Sequence, residues 1–329
     1  MRNSNGFTKS VAKSNCQRTH VSRKAIAIAV LLGCAAVPVT AQTTLEPSSI
    51  STLTNQVGRL TLITPGVLAG TVTASINTSA INSPTMTVGG ITYTGAYLGQ
   101  ANGSKVAAFG FNGSLVLSSG ATLNVTGSNP LVLYSTGDIN SSANIRLNGG
   151  NGGSAPFVQG SAPGQGGVAA GGGFNGGVGG SAAAYYGLAA NGSGAGGGKG
   201  GPVEGSGGGG GFGGAGGTGF VFPNGGAATT PVPGGPANGD LTQNLQGGSG
   251  AGGGSGKVGF AGGGGGAGGG ALGLIAGGAV LLNGSVAVNG GQGGDGYYGG
   301  GGGAGGGVLI ASLGASSGIG AGGSISADG

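Results

Sequence analysis

The chain has 329 residues, a formal net charge of +5 and 93 glycines, with two cysteines, one histidine and no tryptophan. Six of its eleven basic residues fall in the first 24 positions, so from residue 42 onward five basic side chains face six acidic ones. A near-neutral chain excludes a basic footprint for nucleic acid or anionic membranes. Because Cys16, His20 and Cys34 all precede residue 42, removal of that segment also excludes a disulfide scaffold and imidazole chemistry.

Residues 1–24 are polar, basic and free of acids, and an apolar run follows over 25–39. Val39-Thr40-Ala41 places small residues before Gln42. Basic, apolar, cleavable is the order of a secretory signal peptide, so 1–41 is read as one, cleaved between Ala41 and Gln42. The apolar run is shorter than the roughly 20 residues needed to span a bilayer. Two alternatives stay open: a mitochondrial-type presequence, and a lipobox at Leu31-Leu32-Gly33-Cys34 with Cys34 acylated. Contact with a membrane is expected only through one of these devices. Residues 42–58 are rich in Thr and Ser and read as a flexible leader.

Residues 59–147 carry short β-branched segments at 60–63, 72–76, 85–88, 91–94, 106–109, 115–117, 121–125, 131–134 and 145–147, separated by Gly, Asn, Ser or Pro. Gly89-Gly90 between two of them suits a tight hairpin. The triplets Leu115-Val116-Leu117 and Leu131-Val132-Leu133 stand 16 apart. Apolar triplets at near-constant spacing predict stacked rungs of a β-solenoid; an antiparallel β-sandwich is the alternative. The one helix candidate is the alanine-rich stretch 181–190.

Of the 93 glycines, 78 lie in 148–329. The region 148–270 lacks a strict Gly-X-Y period, which excludes a collagen triple helix. Two states remain: a disordered glycine-rich region, or extended threefold helices that pair side by side because no side chains intervene. Phe157, Phe174, Tyr185, Tyr186, Phe212, Phe220, Phe222 and Phe260 punctuate the tract, either covering a glycine layer or standing as sticky points in a flexible chain. The string GGGGGAGGG occurs at 262–270 and again at 299–307. Each copy runs into an apolar segment (271–275, 308–311) and then a second one ending in Asn-Gly or Asp-Gly (285–290, 324–329). The same tail appears upstream at 144–150, so 271–329 reads as a strand-plus-glycine repeat.

The signal sequence, the Leu-Val-Leu triplets, the Asn-Gly-Gly turns and the GGGGGAGGG tracts together resemble glycine-rich β-helical surface or secreted proteins of bacteria. The glycine tracts also resemble the polyglycine II layers of some phage fibre adhesins. The resemblance covers about 110–329 and implies an all-β fold of solenoid rungs with glycine-rich layers. It implies a non-enzymatic scaffold or adhesin outside a bacterial cell or on its surface, with a self-assembling fibre subunit and a glycan-binding module as alternatives. The implied partners are further copies of the chain, or a cell surface or glycan. The chain departs from the family in lacking a recognisable secretion module and a C-terminal membrane barrel. It stops at Asp328-Gly329, where the upstream copies run on into glycine, as an open-ended unit or a fragment would.

Gly314-Ala315-Ser316-Ser317-Gly318 fits the pattern of a nucleophile elbow, but that chemistry needs a histidine base and the mature chain has none. No catalytic residue is assigned, since the six acids show no close pair in sequence. The stretch from Gly290 to Tyr298 fits one copy of a calcium-binding nonapeptide with Asp295 as its carboxylate; a solvated turn is the competing reading, because one carboxylate is little charge for an oxygen site. No other cofactor is expected. Asn-Gly-Ser at 102–104, 112–114, 191–193 and 283–285 reads as turns needing positive φ, or as glycosylation acceptors on a eukaryotic secretory path. Tyr185, Tyr186, Tyr297 and Tyr298 are candidate flat contacts for a ligand if they share an exposed face rather than pack over glycine.

Overall fold

A computed structural model describes residues 28–30, 53, 56–57, 60–64, 66–183, 186–223, 227–314 and 317–329. Cys34, Ala41, Gln42 and most of the leader lie outside the described residues. Every named element is a strand, and the main sheets are parallel.

Four successive passes of the chain each add one strand to each of three sheets, and an earlier pass adds one to the first and one to the third. The first sheet stacks Leu62–Ile63, Lys105–Phe111, Leu131–Ser135, Ala271–Ala276 and Gly307–Ser312, and the short strand Ile28–Val30 runs parallel beside Val308 to Ile310. The second stacks Leu115–Leu117, Ile139–Ser141, Val280–Leu282 and Ser317–Ile319. The third stacks Thr73–Asn77, Thr122–Thr126, Asn144–Arg146, Ser285–Ala287 and Ser324–Ser326. Antiparallel strands cover only the first end: Thr85–Val88 and Ile91–Thr94 lie outside Thr73–Asn77, and Ala96–Gly99 pairs with Lys105–Phe111. The hairpin expected at Gly89-Gly90 is present, with φ of 57° and 82°.

The pairing is therefore not that of an antiparallel sandwich, and the two triplets 16 residues apart are not equivalent positions. Leu115 lies beside Ile139 in the second sheet, whereas Leu131 lies beside Ala107 in the first. The repeat that stacks strands is 24 residues in both cases. The described residues of 181–190, the expected helix, form bends and a two-residue strand, Tyr186–Gly187.

Burial explains the strand sequences. Second-sheet strands alternate buried and exposed, as Leu115–Leu117 does, because one face meets the core and the other meets water. First-sheet strands are near-continuous apolar runs, with polar residues only toward their ends, because both faces are covered. Their inner faces join the central core through Phe109, Leu133, Leu274 and Ile310. Their outer faces pack Val132, Ile275 and Leu309 against Phe212, Leu241 and Leu245 from the glycine-rich region. Gln100 fastens the same junction: its side-chain amide donates to Leu245 O at 2.9 Å and accepts from Leu245 N at 2.7 Å.

The glycine segments are extended and hydrogen-bond sideways with a period of three. Within 262–270, Gly262, Gly265 and Gly268 donate to Gly180, Gly177 and Phe174. Gly263, Gly266 and Gly269 donate to Tyr298, Gly301 and Ala304, while Gly264, Ala267 and Gly270 donate to Gly153, Gly150 and Leu147. These nine bonds measure 2.6–3.0 Å. The carbonyls face other segments: Gly262 and Gly265 accept from Gly164 and Gly167, Gly263 and Gly266 from Gly254 and Ala251, and Gly264 and Ala267 from Gly294 and Gly291. Each backbone group thus turns to a fixed neighbour every third residue, which neither a strand nor an α-helix does.

Such pairing needs a bare Cα at nearly every position of the segment; Ala267 is the exception. A Cβ on Gly262, Gly263, Gly264, Gly265, Gly266, Gly268 or Gly269 would lie under 3.0 Å from a carbonyl oxygen of an adjoining segment. Side chains enter only at selected places. Asn148 Oδ1 accepts from Asn289 N and Asn289 Oδ1 from Asp328 N, both at 2.9 Å, so the repeated Asn-Gly tails stack as a polar ladder. Gln292 N on Asn151 Oδ1 at 3.0 Å and Asp295 N on Ser154 Oγ at 3.1 Å continue it. Of the four Asn-Gly-Ser turns, Gly103 and Gly113 take positive φ (81° and 76°), and Gly192 and Gly284 do not.

Gly266→Ala is expected to destabilise the protein by about 2–3 kcal/mol, the cost of overpacking a close-packed interior. Gly217→Ala, with nothing within 4 Å of the added Cβ, is expected to be near neutral. Denaturant midpoints of the two variants check this; equal shifts would contradict it.

Candidate contact site at the turns of the glycine layers

Segment 262–270 runs directly into the first-sheet strand Ala271–Ala276, so its beginning marks the end of the glycine layers remote from the sheets. Following the pairing outward from it places the described residues of the connections 154–163, 181–183 with 186–187, 202–206, 220–223 with 227–232, 255–261 and 295–298 at that remote end. Each returns the chain between two glycine segments.

These turns form one connected group, linked by side chains and, at Tyr186, by a backbone bridge. Phe157 packs on Phe260 (ring centroids 6.0 Å apart) and on Tyr297 (6.1 Å). Phe260 and Tyr297 stack at 5.9 Å and 28°, and Tyr297 meets Tyr298 edge-on at 4.9 Å. Tyr298 stacks on Phe222 at 6.1 Å and donates from its hydroxyl to Phe222 O at 3.3 Å. Tyr186 pairs with Lys257 in a short antiparallel bridge. Lys257 Nζ bonds Glu204 Oε1 at 2.9 Å and lies 5.8 Å from the Tyr297 ring centroid. Every one of the turns contributes. Ring pairs of this geometry add about 0.5–1.5 kcal/mol each beyond area burial.

Glu204 is the one non-glycine residue with positive φ among the described residues, at 58°. A left-handed conformation costs such a residue roughly 1–2 kcal/mol. Two bonds fix it there, from Lys257 to its carboxylate and from Phe222 N to its carbonyl at 2.7 Å. The hydrogen bond to Glu204 raises the Lys257 pKa above 10.5. Burial raises that of Tyr298 above 10.0, with the Glu204 charge adding to it.

The structure thus gathers Tyr186, Tyr297 and Tyr298, while Tyr185 lies outside the described residues. They are not free platforms. Tyr298 is buried and Tyr297 is held between Phe157, Phe260 and the Lys257 ammonium. The ring left open is Phe157, 66% exposed. Asp295 sits exposed in the last turn, its backbone amide on Ser154 and its carbonyl accepting from Ala155 N at 2.7 Å. Among the described residues no group of three His, Cys, Asp or Glu side chains is placed to hold a metal. Gly314 and Gly318 are described, but Ala315 and Ser316 between them are not. The Lys257–Glu204 pair was not anticipated from sequence. Its signal was two opposite charges in a charge-poor tract, each at a break between glycine runs.

No known protein family, curated protein or solved structure matches the chain.

Both raised groups hold their protons more tightly in the folded state. Their contribution to stability is therefore complete below the unfolded values near 10.0 and 10.5 and is lost as pH rises through the folded ones. Stability is expected to fall from about pH 10 upward, and Lys257→Met is expected to flatten part of that fall. Denaturant melts across alkaline pH check this; the same slope in the variant would contradict it.

Proposed function

We propose that the chain is a non-enzymatic protein of the bacterial surface or exterior, acting as a structural scaffold of adhesin type. In this reading the stacked passes are a β-solenoid, and the glycine segments are polyglycine II helices packed beside it. The observation that carries the reading is the threefold rotation of hydrogen bonds along 262–270. A polyproline-type helix makes no internal hydrogen bonds and points every N–H and C=O outward, so a buried bundle of such helices must bond laterally in this way. The bundle carries few side chains, and it holds the remote turns as one group linked through Tyr297, Phe260 and the Lys257–Glu204 pair. Display of fixed turns on an inert frame is an adhesive function and needs no chemical step. Secretion through the signal peptide, with cleavage between Ala41 and Gln42, belongs to the same reading.

A second reading, a self-assembling fibre subunit, draws on the sheet edges. Ser317–Ile319 and Ser324–Ser326 end their sheets with outer edges that carry no strand among the described residues, whereas the opposite edge of the third sheet bears antiparallel strands. Open edges template further pairing.

Display of the chain on a non-adherent bacterium is expected to raise attachment to host-cell monolayers by about tenfold or more, a change worth 1.4 kcal/mol per decade. Replacing 295–298 with Gly-Ser-Gly-Ser is expected to remove the gain. Attachment equal to that of bare cells would overturn the adhesin reading, and uniform fibres in negative-stain electron microscopy would favour the second.

A further inference from the structure

A separate cavity of about 130 Å³ opens where the first sheet meets the near end of the glycine layers. Gln100, Asn102, Lys105, Asn129, Phe174 and Gln246 line it. Three of its amide side chains are held at one end only. Asn102 Oδ1 accepts from the Ser104 amide at 2.9 Å and from its hydroxyl at 2.6 Å. Asn129 Nδ2 donates to Thr78 O at 2.6 Å, and Gln246 Nε2 donates to Asn238 O at 2.9 Å. The other ends, Asn102 Nδ2, Asn129 Oδ1 and Gln246 Oε1, have no protein partner among the described residues; Asn102 is an exposed residue, and the free oxygens of Asn129 and Gln246 are not sealed from solvent. The scaffold therefore fixes one donor and two acceptors in orientation and leaves them free to bond. Gln100, by contrast, is fully used in fastening Leu245 and forms wall.

Phe174 supplies the apolar side. Its backbone is pinned in the glycine layer, donating to Gly248 O at 3.1 Å and accepting from Gly268 N at 2.8 Å. Gly194 passes so close to the ring that a Cβ there would stand 2.8 Å from Phe174 Cγ. One side of the ring is backed by glycine, and the side chain is still 39% exposed. The Lys105 ammonium stands 5.8 Å from the Tyr97 ring centroid, with no carboxylate among the residues lining the cavity.

We propose that this cavity binds a saccharide bearing a carboxylate, of uronate or sialate chemistry. A pyranose offers an apolar C–H face to Phe174 and neighbouring hydroxyls that both donate and accept, which matches amides presenting one free end each. An unopposed ammonium selects a carboxylate by a charge-assisted bond. The proposal goes beyond the adhesin reading: it adds a ligand class at a second site, away from the remote turns.

Trigalacturonate, sialyllactose and neutral lactose, each titrated into the purified secreted chain by calorimetry and by saturation-transfer NMR, test it. At least one acidic probe is expected to bind about tenfold or more tightly than lactose, the worth of one hydrogen bond to a charged group. That preference is expected to shrink with added salt. Phe174→Ala is expected to lower the melting temperature while leaving a single cooperative transition, and to abolish binding in the folded protein. Lys105→Gln is expected to remove the acidic preference and leave lactose unchanged. No saturation transfer from any probe, equal affinity for lactose and the acidic sugars, or binding that survives Phe174→Ala would overturn the proposal. Soluble sugars and soluble protein keep this result separate from cell attachment: loss of one leaves the other standing.

Discussion

The lateral backbone hydrogen bond between glycine segments is the constraint on which the rest of the structure depends. Ordering a glycine costs roughly 0.5–1 kcal/mol more than ordering an alanine. A backbone hydrogen bond returns about 0.5–1.5 kcal/mol net, while a buried group left unpaired costs about 1–3 kcal/mol. The two gains and losses are of one size, so a glycine layer is tenable only where nearly every N–H finds a carbonyl. Segment 262–270 meets that condition, with all nine of its amides bonded to three different neighbours. The missing Cβ is what permits it, because the adjoining carbonyl oxygens occupy the space a side chain would take.

The parallel sheets supply what glycine cannot. Their interior is filled by Phe, Leu, Ile and Val side chains from all three sheets. The outer face of the first sheet then seats Phe212, Leu241 and Leu245, the few large side chains at the near end of the glycine-rich region. The layers are thus anchored at one end by apolar packing and closed at the other by the rings of Phe157, Phe222, Phe260, Tyr297 and Tyr298. Between those ends the Asn148–Asn289–Asp328 ladder keeps the register from one pass to the next.

Much of this was legible in the residues, and the reasons for the rest are specific. The repeated tails ending in Asn-Gly or Asp-Gly do stack, because each pass needs the same polar acceptor at the same height. The 16-residue spacing of Leu115 and Leu131 misled, because inward-facing triplets occur on more than one sheet of each pass and sequence spacing cannot say which. Burial gave a better clue: continuous apolar runs such as Ala271–Ala276 marked the sheet covered on both faces. At the remote turns, the tyrosines were visible but their packing was not, since their partners come from turns up to 140 residues away, as Phe157 is from Tyr297. The cavity beside Phe174 was invisible for the same reason: Asn102, Asn129 and Gln246 meet only after the glycine layers have folded back on the first sheet.

Native-state hydrogen exchange of the purified protein, resolved to the amides of 262–270, tests the central claim most directly. The account predicts that these nine amides exchange as slowly as those of the core strand Leu131–Ser135, since both open only with the whole fold. Exchange at the rate of an unstructured glycine chain, with Leu131–Ser135 still protected, would contradict it and leave the sheets without their glycine layers.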